Sequence, residues 1–445
     1  MYDVLIIWWW VSGTALLYTL SKFTNIKNIA LLEKYDNFGL VNSKATNNSQ
    51  TLHCGDIETN YTLEKARKVQ RKAYMLKHFL EDYKVRYPHS RLFSRYNKMV
   101  LAVWATQVQE LEQRYKEFKT LFPNFHRIER EEIAKLEPKV MEGRNPKEQV
   151  LALTSDEGYT IDYGLLSQAF VAETQKYKHD NQTIDIFLNT KVEEITKIDS
   201  GYKIITKDWK EFTTKVLAVC AGWHTPLIAQ SLGYAQDFSI LSVAGTFFKS
   251  SEKLLNGKVY TLQVPELPFA AIHGDPDVHN QNETRFGPTA KGIFMLERYD
   301  YTSVWDYFQV FGFKPKAFIM IAKLMVDKIV WPYLFINFLY DLPWIGKRLF
   351  LREIKKIIPT VTTDQILIGD KLGGTRPQIL NLKTMQLEMG EAKLQWDNAV
   401  FNITPSPGAT TCLSNAFDDT QTIIWFLGDQ YHFDKEEFEK LYVNS

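Results

Sequence analysis

Histidine, arginine and acidic side chains in two Gly/Pro-rich stretches of the middle third could bind and deprotonate an anionic substrate. His273 and Asp275 lie in VPELPFAAIHGDPDV, and Arg285 and Lys291 lie in TRFGPTAKG. We predict that both stretches form turns at strand ends, where functional residues commonly gather. A histidine there can act as a general base, and an arginine can hold a carboxylate through its planar fork of N–H donors. From spacing alone, a structural histidine and a structural salt bridge remain alternatives.

A polar stretch near the N-terminus contains a second set of candidate side chains. Ser49, Gln50, His53 and Gly55 follow one another closely in NSKATNNSQTLHCGDIETNYT. A stretch this polar and this rich in turn-forming residues does not suit a core. We therefore predict a loop that lines a site.

Two glycine-containing stretches near the C-terminus complete the candidate set. Gly374 and Arg376 lie in DKLGGTRPQILN, whereas Gly408, Ala409 and Thr410 lie in FNITPSPGATTCLSNAFDDTQTIIWFL. We predict a glycine turn in the first stretch and a loop leading into a terminal helix in the second. The N-terminus of a helix attracts negative charge, so the second stretch could face an anionic group.

The N-terminal residues predict the strand–helix–strand unit that would position these side chains. Residues 2–7 are apolar and end in β-branched residues, residues 13–23 have apolar residues at helical spacing, and NIALLEKYD closes a second strand at Glu33. Such units bind dinucleotides when the turn reads G-x-G-x-x-G and an acidic residue follows about 20 residues later. Gly13 holds the third glycine position, but Trp8 and Trp10 hold the first two.

The run IIWWWVSG therefore has three interpretations. It could extend a buried strand, belong to an uncharged membrane span over residues 4–21, or replace phosphate-binding glycines with tryptophan. Asp3 at the start and indoles in the middle of the run argue against a span and against a signal peptide. We favour the third interpretation. An indole at position 10 would fill the volume of a pyrophosphate, and position 8 would lack the conformational freedom of glycine.

Composition restricts the class of protein. The chain has 445 residues, 45% of them hydrophobic, and a formal net charge of +1. These values predict a folded globular protein with room for two or three domains, and they give no reason to expect a nucleic acid partner. Cys54, Cys220 and Cys412 lie far apart. This spacing predicts reduced thiols in a cytoplasmic protein and no cysteine metal site.

The polar loop, together with AAIHGDP, TRFGPTAK and the C-terminal stretches, resembles the malate:quinone oxidoreductase family, particularly its shorter bacterial form. The resemblance covers nearly the whole chain. The N-terminal turn of that family reads IIGGGVSG, so Trp8, Trp9 and Trp10 stand where the family has glycine. This replacement is the one gross departure from the family pattern.

The resemblance implies an α/β fold with a Rossmann-like FAD-binding domain and a discontinuous α+β substrate domain. It assigns residues 1–90, 150–225 and 365–445 to the FAD-binding domain, and residues 91–149 and 226–364 to the substrate domain. It also implies a set of cofactor-binding residues spread along the first domain: Gly13, Glu33, Ser49, Gln50, His53, Val192, Gly222, Gly374, Gly408, Ala409 and Thr410.

The implied activity is the FAD-dependent oxidation of (S)-malate to oxaloacetate, with electrons passed to a membrane quinone. His273 would take the hydroxyl proton, with His53 as the alternative base, and Arg285 and Arg376 would hold the carboxylates. The aromatic and locally basic residues 313–358 would contact the inner face of the cytoplasmic membrane peripherally. Ordinary helices of the substrate domain are the alternative for that segment.

The tryptophans change what we expect of this chain. Forcing large side chains into a packed turn costs about 1–3 kcal/mol or more per site. We therefore predict a severe loss of FAD affinity and of activity. Two alternatives stay open: a flavin-free, inactive scaffold of this fold, and an FAD-dependent oxidase of another 2-hydroxy acid or of an amino acid.

Overall fold

The computed structural model describes residues 1–8, 10–263, 271–342, 344–369, 371–388, 392–403 and 407–444. Trp9 lies outside the described residues, and Trp8 is described by its backbone alone.

The chain begins with strands and helices in close succession and then contains longer runs of strands and of helices. The first segment contains β1 (Tyr2–Trp8), α1 (Val11–Phe23), β2 (Asn28–Glu33), α2 (Leu63–Arg86), β3 (Phe93–Val103), α3 (Ala105–Phe118), β4 (His126–Glu129), α4 (Arg130–Leu136), α5 (Pro138–Met141) and β5 (Val150–Ile161). The second contains α6 (Tyr163–Tyr177), β6 (Thr183–Phe187), β7 (Val192–Ile198), β8 (Gly201–Thr206), β9 (Glu211–Cys220), α7 (Thr225–Ser231), β10 (Phe238–Leu241), β11 (Val243–Ala244), β12 (Phe248–Ser250) and β13 (Lys258–Thr261).

The remaining segment begins with short strands, continues with four helices and further strands, and ends with two helices. It contains β14 (His273–Pro276), β15 (Thr284–Gly287), β16 (Lys291–Gly292), α8 (Ser303–Phe311), α9 (Pro315–Val326), α10 (Val330–Tyr340), α11 (Ile345–Ile357), β17 (Leu367–Ile368), β18 (Gln378–Asn381), β19 (Gln386–Glu388), β20 (Ala392–Trp396), β21 (Ala399–Ile403), α12 (Cys412–Leu427) and α13 (Lys435–Tyr442).

The first large sheet is built around the N-terminal strand. Its order is β20-β21-β9-β1-β2-β6, with β8 also paired to β9 and β7 to β8. β1 is parallel to both β2 and β9, which explains the uninterrupted apolar residues 4–7 and 29–32, since central parallel strands are covered on both faces. α1 packs against α6 and α12. The predicted strand–helix–strand unit is confirmed: residues 4–8 lie in β1 and residues 11–21 lie in the buried helix α1, which is too short to span a membrane.

The second large sheet corrects one prediction. Its order is β17-β12-β15-β14-β13-β3-β5-β4. His273 and Asp275 lie within β14, and Arg285 lies within β15 opposite Asp275, so these residues belong to strands and not to turns. Glycine and proline in these stretches suggested turns, but antiparallel pairing and burial of the whole four-residue strands override that local preference.

The described chain is a mixed α/β fold, as predicted. Strands of the first sheet come from residues 2–33, 183–220 and 392–403, whereas those of the second come from residues 93–161, 248–287 and 367–368. β5 begins the second segment predicted for the cofactor domain, and it pairs with β3 in the second sheet. The domain boundaries themselves stay a prediction.

Helices α8–α11 follow one another between β16 and β17. In the parts of the chain that the structure describes, no helix combines the length and the apolar character needed to cross a bilayer. These helices nevertheless expose large apolar side chains, among them Phe313, Phe318, Ile319, Val326, Trp331, Phe335, Phe338, Trp344 and Ile345.

Candidate active site

Two cavities meet at Ser49, His53 and Arg376, which line both of them. The first cavity, of about 80 Å³, lies beside Trp10 and the residues that precede α12. The second, of about 30 Å³, reaches Glu58 and His273 in the second sheet. The meeting point of the two cavities is therefore the place where groups from both sheets can act on one molecule.

The loop between β2 and α2 carries several of the predicted residues and is held by buried side chains. Gln50 ties it to the β14–β15 hairpin, because its Nε2 donates to an Asp277 carboxylate oxygen at 3.1 Å and its Oε1 accepts from the Val278 amide at 3.0 Å. Arg114 of α3 holds the following part of the loop. Its guanidinium donates to carbonyl oxygens of five loop residues: Gly55, Asp56, Glu58, Thr59 and Tyr61.

His53 is oriented by a buried carboxylate. Its Nδ1 lies 2.5 Å from Glu58 Oε1, and its Nε2 lies 3.4 Å from Ser49 Oγ at the cavity. Burial alone would raise the pKa of Glu58, but its hydrogen bond with His53 and the nearby charge of Lys98 bring that pKa below its usual value. An ionised Glu58 accepts the Nδ1 proton, which leaves Nε2 as the proton acceptor that faces the cavity.

His273 has a different environment. It is fully buried beside Tyr260, with 4.9 Å between the ring centroids, and neither ring nitrogen makes a hydrogen bond among the described residues. Burial lowers the pKa of His273 to about 3, although the Asp275 carboxylate, 3.8 Å from its Nε2, opposes that shift. His273 is therefore a neutral lining residue that no hydrogen bond from the described part of the chain orients.

The two predicted arginines are not equivalent. Arg285 lines neither cavity. It donates to the carbonyl oxygen of Asn48 at 2.8 Å and lies 4.4 Å from the centre of the Phe247 ring, so it braces the polar loop. Arg376 lines both cavities, and no acidic side chain among the described residues forms an ion pair with it. Burial lowers the pKa of Arg376 to about 10, which leaves it positively charged at neutral pH.

Trp10 occupies the turn between β1 and α1. Its backbone is extended (φ −136°, ψ 164°), and its side chain makes no capping hydrogen bond to α1. The indole packs edge-on against Trp223, with 5.1 Å between the ring centroids. It also lies directly on Gly222, where an added Cβ would collide with the indole nitrogen. Serine 43 satisfies the first amide of α1, because the Val11 amide donates to Ser43 Oγ at 3.0 Å.

The structure divides the predicted site residues into two groups. The following line one or both cavities: Ser49, His53, His273, Arg376, Gly408, Ala409 and Thr410. The others line neither: Gly13, Glu33, Gln50, Val192, Gly222, Arg285 and Gly374. Glu33 is buried at the end of β2, and burial raises its pKa to about 8.

Sequence reasoning did not single out Glu58, Tyr163 or Tyr260, which also line the cavities. Glu58 lies five residues after His53 in the same polar stretch. An acidic residue at that distance in a loop can fold back onto a histidine, and this was the available signal. Tyr163 and Tyr260 come from an apolar helix and a strand, where nothing local distinguishes them from core residues.

Comparisons with known proteins agree with one another. Residues 1–418 match the family model described as malate:quinone oxidoreductase (Mqo). A protein from Campylobacter jejuni named "Probable malate:quinone oxidoreductase" is 39% identical over 99% of both chains. A malate:quinone oxidoreductase from Helicobacter pylori strain J99 is 38% identical over 98% of this chain and 96% of its own.

Solved structures share the fold at low sequence identity. An L-α-glycerophosphate oxidase from Mycoplasma pneumoniae with FAD bound has a TM-score of 0.65 at 20% identity, and the match covers 95% of this chain and 94% of that one. A glycine oxidase from Geobacillus kaustophilus has a TM-score of 0.63 at 13% identity, with the same two coverages. These likenesses confirm the predicted fold class.

The environment of His273 predicts how acid affects stability. Its pKa is about 3 in the folded chain and about 6.5 when unfolded. The unfolded chain therefore binds more protons between these values, and stability falls as pH falls through that window. From pH 7 to pH 5, we expect the wild type to lose about 2 kcal/mol more unfolding free energy than His273→Gln. Urea denaturation of both proteins at both pH values measures the difference, and equal losses would contradict the assigned burial.

Proposed function

Because the chain belongs to the malate:quinone oxidoreductase family, we propose that it carries the substrate chemistry for oxidising (S)-malate to oxaloacetate with a membrane quinone as electron acceptor. We further propose that FAD, the cofactor expected for the family, binds this chain only weakly. Both proposals rest on one observation, the place where the two cavities meet. His53 and Arg376 line both cavities there, and Trp10 occupies the adjoining turn.

Arg376 is the proposed carboxylate-binding residue. Malate is a dianion at neutral pH, and a cavity that receives it needs positive charge that is not already neutralised. Arg376 supplies such a charge, since no described carboxylate pairs with it, and its planar fork suits a carboxylate. Arg285 is not placed to do the same, because it lines neither cavity and lies 3.6 Å from the Asp277 carboxylate. We assign it the role of holding the loop that carries His53.

His53 is the proposed general base, in place of His273. A base must present an unprotonated nitrogen to the substrate and must remain correctly oriented. In His53 the Nδ1 is held by Glu58 and the Nε2 faces the cavity. The hydroxyl proton of malate would pass to this Nε2, and the negative charge of Glu58 would stabilise the resulting imidazolium. His273 has no such partner, and its burial opposes protonation.

The residues around the first cavity do not fit FAD as their side chains stand. Small-molecule sites commonly have volumes of about 300–1,000 Å³, whereas this cavity has about 80 Å³. A dinucleotide would require the Trp10 indole to leave its contacts with Gly222 and Trp223. An aromatic pair contributes about 0.5–1.5 kcal/mol beyond the area that it buries. This geometry supports two outcomes: FAD binds weakly after the indole is displaced, or the chain is a flavin-free scaffold.

Replacing the three tryptophans with glycine should restore the cofactor. We expect the Trp8→Gly, Trp9→Gly, Trp10→Gly triple variant to purify with visible flavin absorbance and the unaltered chain to purify nearly colourless. Trp209→Gly is the matched control, because Trp209 is 85% exposed, has φ +61° and lies outside both cavities. Stoichiometric flavin in the unaltered chain would refute the proposed obstruction.

The choice of base can be tested in that glycine-restored protein. We expect His53→Asn to lower kcat/KM for malate by about 10²–10⁴-fold, the usual contribution of a general base. His273→Asn should have a much smaller effect, and Glu58→Gln should lower the rate while preserving the shape of the loop. Quinone-analogue reduction under anaerobic conditions measures all three. A larger loss for His273→Asn than for His53→Asn would reverse the assignment.

Peripheral membrane contact through residues 313–358 is also proposed. Phe335 and Phe338 on α10 and Trp344 before α11 are exposed by 50%, 54% and 88%, which is unusual for such large apolar side chains. α11 adds basic residues: Lys347, Arg348, Arg352, Lys355 and Lys356. Exposed aromatic residues beside basic ones suit the interface of a membrane that contains anionic lipids. The inner face of the cytoplasmic membrane is the proposed location.

Removal of two exposed aromatic residues should weaken membrane binding. Burying one phenylalanine side chain contributes about 1.5–3 kcal/mol, so Phe335→Ser with Phe338→Ser should reduce partitioning to phosphatidylglycerol-containing vesicles by more than about tenfold. Cosedimentation measures the bound fraction. Trp425→Ser is the matched control, since Trp425 is 75% exposed but lies on α12. Equal binding of all three proteins would exclude this surface.

A further inference from the structure

A cleft of about 320 Å³ lies on the side of the second sheet that faces α11. We call it the basic cleft and define it by six of its lining residues: Trp104, Arg144, Thr261, Arg352, Lys355 and Lys356. Its volume is at the lower end of the range for small-molecule sites. None of the site residues predicted from sequence lies in it.

The charge of the basic cleft is only partly neutralised. Arg144 lies 3.3 Å from Glu148 and donates to backbone carbonyls at the end of α11, and Lys356 lies 2.6 Å from Glu353. Arg352 and Lys355 are exposed, and neither forms an ion pair among the described residues. They are three residues apart on α11, so they lie on one face of the helix. The cleft therefore offers two positive charges to an anion.

Trp104 forms an apolar wall of the same cleft at a conformational cost. Its backbone has φ +77° and ψ 154°, and its side chain is 52% exposed. A non-glycine residue in this region costs roughly 1–3 kcal/mol, and such strain persists only where the surroundings impose it. The Trp104 amide donates to the Gln149 carbonyl at 3.0 Å, which holds the residue in place. The indole thus lies beside the cationic side chains instead of in the core.

The basic cleft adjoins the cavity that contains His53, His273 and Arg376. Thr261, at the end of β13, lines both. Tyr260, which precedes Thr261 in β13, lines the second cavity. Leu101, which is paired with Thr261 in the sheet, lines the cleft. A molecule held in the cleft is therefore separated from the second cavity by the end of a single strand.

We propose that the basic cleft is a second anion-binding site, which holds a small dicarboxylate next to the catalytic cavity. The two free cations match the two carboxylates of such a ligand, and the position beside Thr261 makes the cleft a waiting site for substrate or product. The choice of dicarboxylate rests on the proposed function. The site itself rests on the charges, the volume and the shared wall.

The test is calorimetric titration of the full chain with L-malate at low ionic strength, where charge interactions are least screened. We expect two binding events. Arg352→Gln with Lys355→Gln should weaken one of them by about tenfold or more, as expected for losing charged hydrogen-bond donors. Arg376→Met should abolish the other.

The matched control is Lys207→Gln with Lys383→Gln, two exposed lysines outside both sites. A parallel titration with inorganic phosphate tests selectivity.

Each outcome has a defined meaning. Retention of both events in Arg352→Gln/Lys355→Gln, or absence of any second event in the unaltered chain, overturns the basic cleft. If the second event is lost in that variant while Arg376→Met changes nothing, the cleft is supported and the proposed role of Arg376 fails instead. Tighter binding of phosphate than of malate, removed by the same double variant, contradicts a dicarboxylate as the ligand.

Discussion

The close approach of the turn after β1 to the turn after β9 limits the first cavity, which Trp10 and Trp223 line. β1 and β9 are paired in parallel as far as Trp8 and Cys220, so the residues that follow each strand meet at one edge of the sheet. Gly222 leaves its backbone uncovered there, and the Trp10 indole rests on it and on Trp223. The Trp10 side chain therefore occupies the volume beside Gly222.

The polar site survives this replacement because different contacts hold it. His53 and Glu58 depend on the loop after β2, which Arg114 and Gln50 fasten to α3 and to the second sheet. Arg376 precedes β18 and lines the same cavity as His53 and Glu58. None of these contacts passes through the β1–α1 turn. The described contacts therefore assemble the His53–Glu58 pair independently of the side chain at position 10.

Strong local patterns in the sequence predicted part of the structure correctly. Apolar runs identified β1, β2 and the intervening helix. The family resemblance gave the fold class.

The strands β14 and β15 were missed because four-residue strands containing glycine and proline have no distinctive local signal, and only their partners in the sheet define them. Glu58, the partner of His53, was missed although it lies five residues later, because that spacing is compatible with many loop conformations and only the folded loop brings the two side chains together.

Burial separated side chains that sequence reasoning treated alike. His53 and His273 both occur in polar stretches, yet one is hydrogen-bonded to a carboxylate at a cavity and the other is buried without a partner. Arg285 and Arg376 also differ, since Arg285 donates to a backbone carbonyl oxygen and Arg376 lines a cavity. These differences arise from tertiary packing, which places identical functional groups in environments of different polarity.

We propose that the Trp10 indole obstructs the path of a dinucleotide. Equilibrium titration of FAD against the unaltered chain and the single Trp10→Gly variant, followed by flavin fluorescence, tests it most directly. Relief of one overpacked site is worth about 1–3 kcal/mol, so the account predicts a Kd about tenfold or more lower for Trp10→Gly. An equal Kd for the two proteins would contradict it.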